Sequence, residues 1–226
     1  PGGPGAGTRA GAGAGSDTAS VETNTWQATL PPDMHPTVID LLRTNEAHAA
    51  SFHDRFGDVQ DAQHPDAVTI CCSDSRVLQD HAWGNDEPGR LFTCSNIGNR
   101  VVQRTDAGEV VSGDVLYPIA HAGTEVAVVM GHTGCGAVTA TYDELTDGLA
   151  EPPGIEHCID LLAPGLEPGV AALPGGLDRV EAIDRLVEYN VDRQVERLVE
   201  SEEVPEAVTV VGVVYDFQDV YGGRRG

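Results

Sequence analysis

The sequence predicts an α/β fold: a mostly parallel central sheet flanked by helices. Three observations predict it. Short runs such as AVTICC at 67–72 and TEVAVVM at 124–130 are rich in β-branched and apolar residues, as strands covered on both faces are. Segments with apolar residues at helical spacing alternate with these runs, the order that builds parallel sheets. The longest such segment, residues 179–201, sets Val180, Ile183, Leu186, Val187, Asn190, Val195 and Leu198 along one side.

Taken in chain order, residues 1–20 are Gly- and Ala-rich with almost no large apolar groups, so a flexible tail is expected over 1–25, ahead of a single domain at 26–226. Within 35–56, Val38, Leu41, Leu42, Ala49 and Phe52 recur at helical spacing and predict a helix or helix pair. Strands are expected at 67–72 and at 90–95, RLFTCS. Residues 112–122 predict a helix against the objection of Pro118, whose ring and missing N–H disfavour a helix interior. The strand at 124–130 runs into GHTGCG and a helix at 135–145. Residues 146–178 hold most of the remaining Pro and Gly and predict a loop excursion with short helical pieces. After the amphipathic helix, VTVVGVVY at 208–215 supplies a closing strand.

The 226 residues include 36 acidic and 13 basic side chains, a formal net charge of −23, and every basic one is Arg. This balance excludes nucleic acid and anionic membrane as partners, because phosphate binding needs a cationic face. With 40% hydrophobic residues in patterned segments the chain has the means to fold. The absence of Lys fits a protein kept soluble in concentrated salt. There, repulsion is screened within about 3 Å at 1 M, and Lys stems would add apolar surface. A halophilic source with a salt-filled cytoplasm is therefore expected.

Five cysteines, Cys71, Cys72, Cys94, Cys135 and Cys158, are odd in number and lack the spacing of a small disulfide scaffold. Metal or catalytic use is the expectation, together with a cytoplasmic location. No apolar run approaches the roughly 20 residues of a membrane-spanning helix.

Two segments concentrate the chemistry, and each follows a buried strand, where open α/β sheets place their ligands. One is Cys72-Ser-Asp74-Ser-Arg76 and the other His132-Thr-Gly-Cys135. Two thiolates and an imidazole form a soft, tetrahedral-preferring set suited to zinc. Cys135 stands where a helix should begin, and the dipole there favours the thiolate. Three protein ligands leave a fourth position open, the catalytic arrangement. Cys71 is not expected as a ligand beside Cys72, since neighbours on a strand face opposite ways. Asp74 and Arg76, two apart, can pair so that the guanidinium keeps the carboxylate ionised and aimed.

These residues resemble the β-class carbonic anhydrases. The likeness rests on CSDSR followed by HTGC, with LLRTNEAHAASF (41–52), Gln63-His64-Pro65, SNIGN (95–99), EYNVDRQVERL (188–198) and GVVYDFQD (212–219) similar to further family motifs. The resemblance implies reversible hydration of carbon dioxide to bicarbonate and a proton by a zinc-bound hydroxide, with one Zn2+ per chain. It implies Cys72, His132 and Cys135 as zinc ligands and Asp74 with Arg76 as an orienting dyad. Gln63 would reach bound bicarbonate from a neighbouring subunit, and Tyr117, Val77 and Gly136 would line the cavity, in a homodimer or higher even oligomer. Two positions depart from members that carry a second, inhibitory bicarbonate site. Thr69 and Ser95 stand where a Trp and an Arg are found, although Tyr215 is retained. That site is expected to be absent and the dyad formed at neutral pH.

Other readings stay open on sequence alone. The same zinc chemistry would hydrolyse carbonyl sulfide or carbon disulfide. Cys135 could instead be a nucleophile with His132 as base, or the protein a non-catalytic bicarbonate or zinc sensor. Gly131, Gly134 and Gly136 lack the order of a dinucleotide-binding loop.

Overall fold

A computed structural model describes Pro31, residues 33–57 and residues 59–222. The tail expected over 1–25 lies outside the described residues. The chain divides into two compact units at the Phe52/His53 junction. In the first, the predicted helix is α1, Pro36–Phe52. The second opens with a 3-10 turn, His53–Phe56, and holds every other element.

The second unit is built on a four-stranded sheet from β1 (Ala67–Cys72), β2 (Leu91–Asn96), β5 (Val126–His132) and β6 (Thr209–Tyr215). Their order is β2-β1-β5-β6 and every pairing is parallel. The register aligns Cys71 with Met130, so β1 and β5 end side by side and their following loops meet. One face of the sheet carries Val68, Ile70, Ala127 and Val129. It is closed by Val115 and Ile119 of α3 (Gly113–His121) and by Val191 and Leu198 of α7 (Arg179–Val199). A second apolar cluster joins α7 to α4 (Gly136–Asp147) and α6 (Ala163–Ala171) through Val138, Leu166, Ile183 and Leu186.

Helix α3 keeps Pro118 in its interior. The carbonyl that Pro118 cannot serve, that of Asp114, accepts the Cys94 thiol at 3.2 Å instead. The excursion at 146–178 contains two helices, α5 (Pro153–Asp160) and α6. Helix α7 begins in a capping box: Asp178 accepts the Glu181 N–H at 2.9 Å and Glu181 reaches back to the Asp178 N–H. Val180, placed on the apolar side by its spacing, lies in the first turn and is 67% exposed. Two elements go beyond the sequence expectation. A four-residue helix α2, Gln79–Ala82, follows the first loop. An antiparallel hairpin pairs β3 (Val102–Thr105) with β4 (Gly108–Val111). Their strands are too short to display a period, and Gly108, at φ +104°, makes the turn.

Candidate metal centre

Cys72 is the last residue of β1 and His132 the last of β5, while Cys135 caps the N-terminus of α4. Parallel strands ending together therefore deliver both loops to one point. The ligand atoms of Cys72, His132 and Cys135 lie within 4.8 Å of one another, all three residues are buried, and the two sulfurs are 3.9 Å apart. Cys71 points to the opposite side, against Val77 and Met130, where burial pushes its thiol up to about 12.

The electrostatics differ sharply at the paired thiols. The Cys135 thiol hydrogen-bonds to Cys72 Sγ, which lowers the first ionisation of the pair and raises the second. The Gly98 N–H also favours a thiolate at Cys72, and the first-turn N–H groups of Ala137 and Val138 do so at Cys135. His132 is fully buried. Its Nδ1 lies 3.0 Å from the Thr133 carbonyl, which puts the ring proton there and leaves the Nε2 lone pair free. Nε2 is buried without a hydrogen-bond partner among the described residues. An orphaned imidazole nitrogen facing two thiols is costly in itself and is satisfied by a soft divalent cation. The donor set fits zinc.

Asp74 and Arg76 stand on the loop after β1. Arg76 Nε donates to Asp74 Oδ1 at 2.9 Å, Nη2 to Oδ2 at 2.6 Å, and the Arg76 backbone N–H to Oδ1 at 2.9 Å. The Arg76 guanidinium holds the Asp74 carboxyl well below the usual carboxylate range. The same Nη2 donates to Gly134 O at 3.2 Å, tying the dyad to the second loop. Asp74 Oδ2 is 3.8 Å from His132 Nε2, so the carboxylate borders the ligand group.

The remaining candidates separate into two places. Val77 is buried beneath the first loop with Cys71 and Met130. Gly136 opens on free space at the start of α4. Gln63 and Tyr117, by contrast, line a different cavity of about 450 Å3 with His64 and His121, and none of the three ligand residues borders it. Tyr117 is 53% exposed and its ring lies 5.2 Å from that of His121. At the two departing positions, Thr69 is buried and Ser95 accepts a hydrogen bond from Gln79 Nε2 at 3.1 Å.

One residue without a sequence-assigned role is Phe217. It stacks on His132 with ring centroids 5.9 Å apart and lies 4.6 Å beneath the Arg76 guanidinium. Its place two residues beyond the closing strand was the available signal. Gln218 beside it fills the space where a Cβ on Gly134 (φ +60°) would sit, 2.6 Å away.

Residues 67–222 match the protein-family model described as carbonic anhydrase. The chain is 32% identical over 131 residues to a carbonic anhydrase of Helicobacter pylori, covering 56% of this chain and 58% of that protein. The match thus spans little more than half the length of that relative. It is 28% identical over 182 residues to carbonic anhydrase 2 of Mycobacterium tuberculosis, covering 76% and 80%. Among solved structures, a tetrameric β-carbonic anhydrase of Sordaria macrospora superposes with a TM-score of 0.67 at 26% identity, over 80% of this chain and 93% of that one. The β-carbonic anhydrase CafA of Aspergillus fumigatus gives 0.65 at 29% identity, over 80% and 86%.

Proposed function

The chain belongs to the β-class carbonic anhydrase family, and from that premise we propose that it is a zinc-dependent carbonic anhydrase that interconverts carbon dioxide and bicarbonate. The observation that carries this reading is the buried Cys72/His132/Cys135 group with the Asp74–Arg76 pair at its edge. Zinc, when bound, supplies Lewis acidity that makes water a nucleophile near pH 7.

The chain's own residues do the rest. Cys72, His132 and Cys135 would hold the ion, and the Nδ1 contact to Thr133 leaves the His132 Nε2 lone pair free for it. Asp74, kept ionised by Arg76, accepts a hydrogen bond from the attacking water and fixes its direction. Because Arg76 donates to both carboxylate oxygens, Asp74 is held in the dyad with lone pairs to spare for a water. Gly136 leaves room for a small uncharged substrate, and Val77 lends the first loop an apolar base. With Thr69 and Ser95 in place of a Trp and an Arg, the chain would lack the second bicarbonate site, and the dyad would stay formed at neutral pH.

Gln63 and Tyr117 belong to the proposal as groups that one subunit offers to its neighbour's centre in a homodimer or higher even oligomer. Their cavity, apart from the ligand group of the same chain, supports this. Among the described residues no helix is long and apolar enough to cross a membrane. A cytoplasmic setting is supported by five unpaired cysteines.

Stopped-flow measurement of carbon dioxide hydration in molar salt, with zinc counted per chain, tests the function. Turnover that disappears with a chelator and returns with zinc is expected. A protein carrying one zinc that leaves carbon dioxide untouched, or that turns over carbonyl sulfide instead, overturns the reading.

A further inference from the structure

The loop at 97–101, between β2 and β3, is held from two sides. Asn96 closes it from within, accepting the Arg100 N–H at 2.7 Å and donating to Arg100 O at 2.8 Å. Gly98 and Asn99 both take positive φ, +80° and +47°. A Cβ on Gly98 would meet Leu162 Cδ1 at 2.5 Å, so glycine is required by space as well as by backbone conformation. In the sheet Cys72 pairs with Asn96, and the Ser73 N–H donates to Asn96 O at 2.8 Å, so the loop leaves β2 directly beside a ligand residue.

The outer support comes from α7. Asn190 Nδ2 donates to Gly98 O at 3.1 Å and to Asn99 Oδ1 at 3.2 Å. Asn190 Oδ1 accepts from Gln194 Nε2 at 3.2 Å, and Gln194 Oε1 accepts the Val101 N–H at 2.9 Å. Asn190, Gln194 and Asn99 are each 1% exposed. Both ends of the Asn190 and Gln194 amides are matched, while Asn99 Nδ2 has no partner among the described residues, so the two α7 amides supply the grip on the backbone. Here that backbone is the turn that follows Asn96, the partner of Cys72 in the sheet.

We propose that Asn190 is a positioning residue of the metal centre: it holds Gly98 so that the Gly98 N–H donates to Cys72 Sγ, one of the three ligand atoms. The inference rests on Cys72, His132 and Cys135 being metal ligands. Supports of this outer kind typically govern metal affinity by about 10- to 100-fold.

The test uses the full chain loaded with the spin-half isotope of cadmium, a zinc surrogate for thiolate sites. An N–H···S bond to a ligating sulfur transmits a scalar coupling between the metal and the amide proton. The wild-type protein is expected to show this coupling at Gly98. Asn190→Asp, similar in shape but without the amide donor, should lose it and hold zinc about 10- to 100-fold more weakly against a competing chelator. Leu198→Ala, on the same helix and fully buried in the other core cluster, should lower the melting temperature yet keep both readouts. Cadmium bound without coupling to Gly98 in the wild type overturns the inference alone, and so does Asn190→Asp with coupling and affinity intact. Should Asn190→Asp not fold, Asn190→Ser and the wild-type coupling decide in the same way. Failure of the wild type to bind cadmium or zinc at all overturns the metal reading beneath it.

Discussion

At the scale of single residues, the buried cysteines have been given different states by their surroundings. Burial pushes Cys71 and Cys94 up to about 12, so both are inert thiols at neutral pH. Cys72 is drawn the other way by the Cys135 thiol and the Gly98 amide. Alkylation followed by peptide mass spectrometry should therefore leave Cys71 and Cys94 unmodified at pH 8. Cys72 should be protected in the zinc-loaded protein and become the most reactive of the buried cysteines once a chelator is added. Equal labelling of Cys71 and Cys72 after chelation would contradict these assignments. Asp74 makes a sharper case. Asp74→Asn keeps the shape but puts an amide where an ionised acceptor stood. Hydration should fall about 100-fold, the scale of loss when a reacting group is left misaligned, while zinc stays at one per chain. Loss of zinc together with activity would make Asp74 a support for the metal rather than a guide for water.

At the scale of elements, the strands were legible as short continuous apolar runs and the long helices by the period that one-sided burial writes into the sequence. AVTICC and VTVVGVVY lie in the sheet, and the spacing of Ile183, Leu186, Val187 and Leu198 places α7 against the core. The residues gathered at the centre were legible for a different reason: Cys72, His132 and Cys135 stand at strand ends and a helix start, positions that strand and helix patterns locate. What stayed hidden depends on contacts between distant segments. Asn190 was counted on the apolar side of its helix, and its grip on Gly98, 92 residues away, has no local signature. The hairpin at 102–111 is too short for a period, and Phe217 finds His132 only after the sheet has formed. Pro118 shows a local rule overridden by one such contact. Since the Cys94 thiol serves the carbonyl that Pro118 leaves bare, Cys94→Ala should cost about 1–2 kcal/mol, from a small cavity and an unmatched carbonyl. In a Pro118→Ala background the restored N–H can take over Asp114 O, so the cost should shrink. A double-mutant cycle by urea denaturation measures the coupling, and strict additivity would remove the thiol from the account.

At the scale of the whole molecule, the charge of −23 has no evident task at the centre, where the proposed substrate is a neutral gas and the product a small anion. Its consequences belong instead to assembly. Two chains of this charge repel across any shared interface, and that repulsion reaches about 30 Å at 0.01 M salt but only about 3 Å at 1 M. The ligand group and the dyad lie within one chain, so dilute salt should spare them. Gln63 and Tyr117, which the proposed mechanism assigns to a neighbour's centre, should be withdrawn as subunits part. The expectation is therefore specific: lowering salt reduces hydration activity in step with the fraction of even oligomer seen by sedimentation, and zinc content does not change. Raising protein concentration at fixed low salt should restore part of the activity, because mass action opposes the repulsion. Gln63→Ala should reproduce the low-salt activity while the oligomer remains intact in molar salt. If activity in dilute buffer equals that in molar salt, the acidic composition carries no halophilic adaptation. If activity falls while the oligomer persists, salt acts on the fold of each subunit and not on the joining of two.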